Sequence, residues 1–153
     1  VTVKADTPEE IVALYQCREV MEGLGARLCA RHATPEQVAE LKELCKEMHA
    51  IEDATARVEV NSRFHSMIAQ FSGNDRVVDY LADFRERVNR DMYLSSFNAV
   101  RTHDCDDEHD HIVDAIERHD EVAAENAMRK HINNAFIFKR ANAELQDKKL
   151  NEV

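Results

Sequence analysis

The sequence predicts an all-α protein, an antiparallel bundle of six to seven helices, and three observations support this fold class. Only 3 of the 153 residues are Gly and 2 are Pro, too few for the many tight turns of a β-sandwich or barrel. Apolar residues recur at the three- and four-residue spacing of amphipathic helices, and helix-start signals separate these segments. With 44% hydrophobic residues, the chain is predicted to form one domain, residues 1–153, around its own core.

The first two helices are predicted from a repeated N-terminal signal. Thr7-Pro8-Glu9-Glu10 and Thr34-Pro35-Glu36-Gln37 each combine a capping Thr, a Pro at the first helical position and a Glu or Gln three residues after the Thr. The first helix is predicted to run to about His32. The second follows from Pro35 with apolar residues at helical spacing.

Four more helices are predicted from their apolar stripes and short links. Their spans are about 54–72, then 74 or 75 to between 93 and 101, then 104–119, and last 120 to about 145. Gly73 is placed to stop the third helix with a left-handed residue. The acidic run 104–110 is interpreted as a solvated helix start, because it lacks the loop glycine and spacing of a calcium-binding EF-hand. Residues 146–153 are predicted to be a frayed polar tail.

Charge and composition exclude several classes of function. The chain has 20 Lys and Arg but 30 Asp and Glu residues. The resulting net charge of −10 opposes the phosphate contacts that dominate DNA affinity. No apolar run approaches the roughly 20 residues of a membrane span, and the N-terminus lacks a signal-peptide pattern. The 4 cysteines show no C-x-x-C pair. We therefore expect a soluble cytoplasmic protein with reduced thiols that does not bind DNA or membranes by itself.

Three of the 8 histidines are predicted to face the core, each from a different helix. His65 borders the apolar stripe that contains Phe64. His109 lies at the start of the apolar face of the fifth helix, and His131 shares its face with Met128. The other five are predicted to lie on the surface: His32, His49, His103, His111 and His119.

Three inward imidazoles in one small bundle favour a metal site. A single inward histidine is more often a hydrogen-bonded core residue, but burying three is costly unless their nitrogens are satisfied. Asn61, one turn before His65, could add an amide oxygen as a fourth ligand. Such ligands suit Zn, with Ni, Co or Mn as alternatives, and leave a position open to a small molecule. Metalloprotease and di-iron motifs are missing, apart from one Glu108-x-x-His111 pair.

The chain resembles the effector-binding (FCD) domain of GntR-type bacterial transcription regulators of the FadR subfamily. The resemblance rests on residues 61–65, 72–74, 108–116 and 128–132, together with Arg18-x-x-x-Glu22 in the first helix. It implies a bundle of six or seven helices and a metal held by one acidic residue and three histidines, which would be His65, His109 and His131. It also implies a pocket for small organic acids. Where the family usually has Asp, this chain has Asn61.

The resemblance also implies partners. Family members carry an N-terminal winged helix-turn-helix domain, which this chain is predicted to lack, so DNA binding would belong to that missing part and residues 1–6 would be a connector. Family members dimerise, which implies a homodimer. Arg18 is predicted either to form a buried ion pair with Glu22 or to grip an effector carboxylate. Arg101 and Asn134 are weaker effector-binding candidates.

An enzyme is the alternative hypothesis. Helical bundles with three metal-bound histidines also occur in the DinB-like family of metal-dependent hydrolases and transferases. A catalytic role needs a general base near the metal. Glu22 is the inward acid that could serve, and the neighbouring Arg18 should lower its pKa and weaken it as a base. The sequence therefore favours a non-enzymatic sensor.

Overall fold

In the computed structural model, residues 7–95 and 99–151 are described, without the side chains at 8, 86, 88–95, 99–103, 143, 146, 147 and 150. Within these ranges the chain forms six helices and no strand. The helices are α1 (Pro8–His32), α2 (Pro35–Ala50), α3 (Ala54–Phe71), α4 (Asp75–Ser95), α5 (Ala99–Glu117) and α6 (Glu121–Asn151). The all-α prediction is confirmed.

The predicted helix starts are confirmed by their hydrogen bonds. Thr7 Oγ1 accepts from the backbone N–H of Glu10, whose carboxylate accepts from the N–H of Thr7 at 2.7 Å. Thr34 and Gln37 repeat this capping box. Gly73 follows α3 with a φ of +68°, as expected of a residue that ends a helix in the left-handed conformation. These local signals satisfy the backbone groups that a helix end leaves without intrahelical partners.

Two helix boundaries differ from the prediction. Helix α5 begins at Ala99 instead of Asp104, so the acidic run lies inside the helix and not in its first turn. Residues 99–103 contain no Gly or Pro to prevent this extension. Helix α6 continues to Asn151, so the prediction of a frayed tail from 146 is wrong for 146–151. Its last turn holds Lys148 and Lys149, whose positive charges are favourable at a helix C-terminus.

Helix α1 is the central element of the bundle, since it packs against α3, α4, α5 and α6. Helix α2 packs against α3 and α5, and α5 packs against α6. The largest fully buried apolar side chains are Phe64, Leu41, Met48, Ile68, Ile112, Ile116, Met128 and Ile132. Among the described residues, none of the helices has the length and apolar character needed to span a bilayer.

A buried ion pair connects three helices at one side of this core. Arg57 of α3 donates to Asp106 of α5 at 2.5 Å, and both side chains are buried. The same guanidinium donates to the backbone carbonyls of Met48 and Ile51 at the end of α2. The expectation of a solvated acidic run is therefore wrong for Asp106. This residue lies on the inward face of α5, where its carboxylate pairs with Arg57, 49 residues earlier in the chain.

Candidate metal centre

His65, His109 and His131 meet inside the bundle, as their helical positions predict. They come from α3, α5 and α6, and their exposed fractions are 7%, 1% and 2%. One ring nitrogen of each lies within 4.8 Å of the others. The ring centroids of His109 and His131 are 4.5 Å apart, and those of His65 and His131 are 5.2 Å apart. The prediction that three helices each direct one imidazole inward is confirmed.

The Nε2 atoms of His65 and His131 are 3.3 Å apart. Two nitrogens bound to one tetrahedral Zn at about 2.0–2.1 Å lie about 3.3–3.4 Å apart. Imidazole binds metals in its neutral form, and burial lowers the pKa of His131 to about 4 although Glu108 opposes that shift. The donor set and its spacing therefore fit a divalent cation such as zinc.

His131 is held from its other side by a carboxylate. Its Nδ1 lies 2.7 Å from Oε2 of Glu108, one residue before His109 on α5. The second carboxylate oxygen, Oε1, accepts from Nδ2 of Asn134 at 2.6 Å. Asn134 was predicted as an effector-binding residue, and in the structure its amide supports Glu108 on the outer side of His131.

His65 has a corresponding carboxylate from α1. Nδ1 of His65 contacts Oε2 of Glu22, whose Oε1 accepts from Nε of Arg18 at 2.6 Å. All three side chains are buried. Burial alone raises the pKa of the Glu22 carboxyl, but His65 and Arg18 together outweigh it and hold this pKa well below its usual range. The predicted Arg18–Glu22 ion pair is thus present, and it continues to a histidine of the centre.

Two further side chains lie next to histidines of the centre along their helices, whereas that of one predicted residue is not described. The side chain of Asn61 is half-buried one turn before His65, with its Oδ1 fully buried. Cys105 Sγ lies 4.0 Å from Nε2 of His109, one turn away on α5. Arg101 is helical, but its side chain lies outside the described residues.

Glu108 and Asn134 also form part of a pocket on the outer side of α5 and α6. It is an open pocket of about 560 Å³ lined by Asp104, Asp107, Glu108, His111, Ala127, Lys130 and Asn134. Three acids and one lysine make its lining predominantly acidic. Of the five histidines predicted to lie on the surface, four are exposed: His32, His49, His111 and His119. The side chain of the fifth, His103, lies outside the described residues.

The sequence analysis does not predict that Glu108 contacts His131 or that Cys105 lies close to His109. Cys105 carries a weak signal, since it precedes His109 by four residues and so shares its helical face. No local pattern predicts the contact of Glu108 with His131, because that contact depends on how α5 and α6 are aligned. All four cysteines are described and form no disulfide, as expected. Burial raises the pKa of the Cys29 and Cys45 thiols to about 12.

The fold and the site together define the class of protein: a helical-bundle domain with a candidate metal centre of three buried histidines. Comparison with known proteins then identifies the family: residues 13–134 match the FCD domain, so the chain belongs to the FCD domain family of GntR-type transcription regulators. Because the matched region includes His65, His109 and His131, the centre lies within the family domain.

The similar proteins are transcription regulators. The HTH-type transcriptional repressor NanR of Escherichia coli K12 is 30% identical over 150 residues, covering 93% of this chain and 55% of the repressor. NanR of Enterobacter sp. strain 638 is 31% identical over 134 residues, covering 82% of this chain and 50% of the repressor. The chain thus spans about half the length of the curated relatives it matches.

Solved structures share the fold. Escherichia coli McbR/YncC superposes with a TM-score of 0.80 at 15% identity, covering 92% of this chain and 73% of that chain. Streptococcus agalactiae GntR superposes with a TM-score of 0.67 at 27% identity, covering 90% of this chain and 62% of that chain. These likenesses confirm the helical architecture of the FCD domain.

Proposed function

We propose that this chain is the ligand-sensing domain of a bacterial transcription regulator, and that it senses a small organic acid through a bound divalent metal. His65, His109 and His131 would hold the metal, with Asn61 as a fourth ligand. Zinc is the favoured ion, with Ni, Co or Mn as alternatives. When bound, the metal would supply a Lewis-acid position for the carboxylate of the effector.

One observation carries this proposal, namely the convergence of three buried imidazoles with two Nε2 atoms 3.3 Å apart. Buried polar nitrogens need partners, and a cation provides one for several nitrogens at once. The half-buried Asn61 lies on the same helix as His65 and could add an oxygen ligand. Membership of a domain family found in transcription regulators supports a sensing role for this centre.

Arg18 is the residue that we propose meets the effector carboxylate. Its guanidinium is buried and connects through Glu22 to His65, so it lies beside the centre with a fixed positive charge. A planar guanidinium binds carboxylates with good geometry. Arg101 and Asn134 stay secondary candidates for effector binding, and Asn134 would act there through its place in the outer pocket.

The regulatory output is proposed to be a change in DNA binding by an N-terminal helix-turn-helix domain. NanR, which is similar to this chain, is named an HTH-type transcriptional repressor. We propose that the domain forms a homodimer, because two-fold symmetry would match paired operator half-sites. The effector must bind one arrangement of the dimer better than another, since equal affinity shifts no equilibrium. Light scattering tests the dimer, and a monomeric full-length regulator would contradict it.

The enzyme hypothesis gains no support from the site. Glu22 is the base it would need, and its pKa is held well below the usual range by His65 and Arg18, after they outweigh the effect of burial. A carboxylate so stabilised as an anion is a weak general base near neutral pH. The similar proteins are also regulators and not hydrolases.

The proposal is tested by elemental analysis of the purified protein, with thermal unfolding before and after chelation. We expect one metal per chain and a melting temperature that falls when the metal is removed. His65→Ala should lose the metal and the response to a panel of small carboxylates together. His32→Ala, an exposed histidine at the end of α1, is the matched control and should keep both. Full metal content in His65→Ala would show that the ligand set is wrong.

A further inference from the structure

We propose that Glu22 and Glu108 are positioning residues of the centre, each holding the ring proton of one histidine on Nδ1 so that its bare Nε2 faces the other histidine. Glu22 acts on His65 and Glu108 acts on His131. The benefit of this protonation pattern for metal binding rests on the proposed function. The pattern itself can be measured in the metal-free protein.

Glu108 contacts Asn134 and His131 through its two carboxylate oxygens. Its Oε1 accepts from the amide of Asn134 at 2.6 Å, while Oε2 lies 2.7 Å from Nδ1 of His131. An ionised carboxylate only accepts hydrogen bonds, so the proton shared with His131 must reside on Nδ1. In a neutral imidazole this leaves Nε2 as a lone pair.

Glu22 imposes the same state on His65 from the opposite side of the centre. Arg18 donates to Oε1 of Glu22 at 2.6 Å, which leaves Oε2 in contact with Nδ1 of His65. The positive charge of Arg18 keeps Glu22 an anion in a fully buried position, and an anion accepts. The ring proton of His65 is therefore also placed on Nδ1.

Together the two carboxylates produce an arrangement that calls for a cation. If both protons are on Nδ1, the Nε2 atoms of His65 and His131 meet at 3.3 Å as two acceptors with no proton between them. Two lone pairs at this distance cannot form a hydrogen bond, and both are buried away from bulk water. A metal ion satisfies both, and carboxylates that accept from the far ring nitrogen of a metal-binding histidine orient its ring and raise its basicity.

The two positioning residues differ in how they can be tested. Glu22→Gln would leave the buried guanidinium of Arg18 without its anion, so that variant could fail to fold. Glu108 is 16% exposed at the wall of the outer pocket, and glutamine has nearly the same shape. In Glu108→Gln, Oε1 can still accept from Asn134 while the new amide N–H donates to Nδ1 of His131. The ring proton of His131 should then move to Nε2.

The experiment is long-range ¹H–¹⁵N NMR of the metal-free full chain with ¹⁵N-labelled histidine, near neutral pH. We expect the Nδ1–H form for both His65 and His131 in the parent chain. Glu108→Gln should shift His131 toward the Nε2–H form and leave His65 unchanged. Glu117→Gln is the matched control, because Glu117 is an exposed residue of the same helix that pairs with Lys42. It should change neither histidine.

A second readout is the zinc dissociation constant from competition with a chromophoric chelator. Loss of the carboxylate that holds a metal-binding histidine weakens metal binding about 10- to 100-fold. We expect this loss of affinity for Glu108→Gln and not for Glu117→Gln. An Nε2–H or doubly protonated His65 or His131 in the parent chain would overturn the inference, as would a Glu108→Gln spectrum identical to the parent. The expected protonation in a chain that binds no metal would support the positioning roles and contradict the proposed function alone.

Discussion

Two clusters of buried charge share helix α5, and they satisfy their polar groups in opposite ways. In the first, the guanidinium of Arg57 donates to Asp106 and to the carbonyls that end α2. In the second, Glu22 and Glu108 surround three histidines whose nitrogens converge. The first cluster is closed, because one cation supplies donors to the acceptors around it. In the second, under the proposed protonation, the Nε2 atoms of His65 and His131 face each other as two acceptors.

This difference separates a structural ion pair from a candidate binding site. A buried charge cluster in which donors match acceptors needs nothing further and fixes the arrangement of its helices. A cluster in which acceptors face each other is costly until a proton or a cation joins them. Asp106 and Glu108 are only two residues apart, yet the turn of the helix directs them to these two different sites.

The largest expected effect comes from breaking the closed cluster. Arg57→Met should lower the free energy of unfolding by about 3–5 kcal/mol, because it leaves the carboxylate of Asp106 buried without its cation. Urea unfolding with the metal removed measures this loss. Metal content of the native variant should stay at the parent level, and a loss of metal would show that the two clusters are not independent.

The next effect is a pH dependence confined to the histidine centre. Burial lowers the pKa of His131 to about 4 from an ordinary 6.5. Between these pH values His131 is therefore protonated in the unfolded chain and neutral in the folded chain. Stability of the metal-free protein should therefore fall as the pH falls, by about 2 kcal/mol between pH 6.5 and 5 and about 3 kcal/mol by pH 4.

Unfolding free energies of the parent and of His131→Gln across this range isolate the contribution of His131. The parent should be the steeper of the two. Equal slopes would contradict the assignment of a depressed pKa to this residue. Arg57→Met should keep the slope of the parent, since it alters the other cluster.

Metal removal should affect the centre and leave the closed cluster unchanged. A ligand at 100 times its dissociation constant stabilises the folded state by about 2.7 kcal/mol. We expect chelation to remove stabilisation of that order from the parent and from Arg57→Met, and none from His65→Ala. Thermal unfolding with and without chelator measures it, and an equal shift in His65→Ala would place the metal elsewhere.

The smallest effect concerns the outer support of the centre. Asn134→Ala removes one hydrogen bond to Glu108, for which about 1 kcal/mol is typical, so metal affinity should fall about fivefold. Asn126→Ala, at an exposed position of α6, serves as the control. If carboxylate affinity falls while metal affinity is unchanged, Asn134 contacts the effector and does not mainly support Glu108.

Much of the candidate site follows from local sequence patterns. The capping boxes at Thr7 and Thr34 place the first two helices, and helical spacing alone turns His65, His109 and His131 inward. The sequence predicts two helix boundaries wrongly, at the start of α5 and the end of α6, because the acidic run resembles a helix start and the polar tail lacks an apolar stripe. A helix can continue through residues of ordinary helix propensity where no Gly or Pro ends it.

Sequence patterns alone thus determined the helices, their inward faces and which imidazoles converge. Each of these depends on residues three or four apart, and this spacing places residues on one face of any α-helix. The partners of those imidazoles were decided only by the tertiary structure. Glu22 reaches His65 from 43 residues away, and Glu108 reaches His131 from 23 residues away. Such contacts depend on the rotation and axial alignment of one helix against another. Packing of the whole core sets both, and no local pattern contains them.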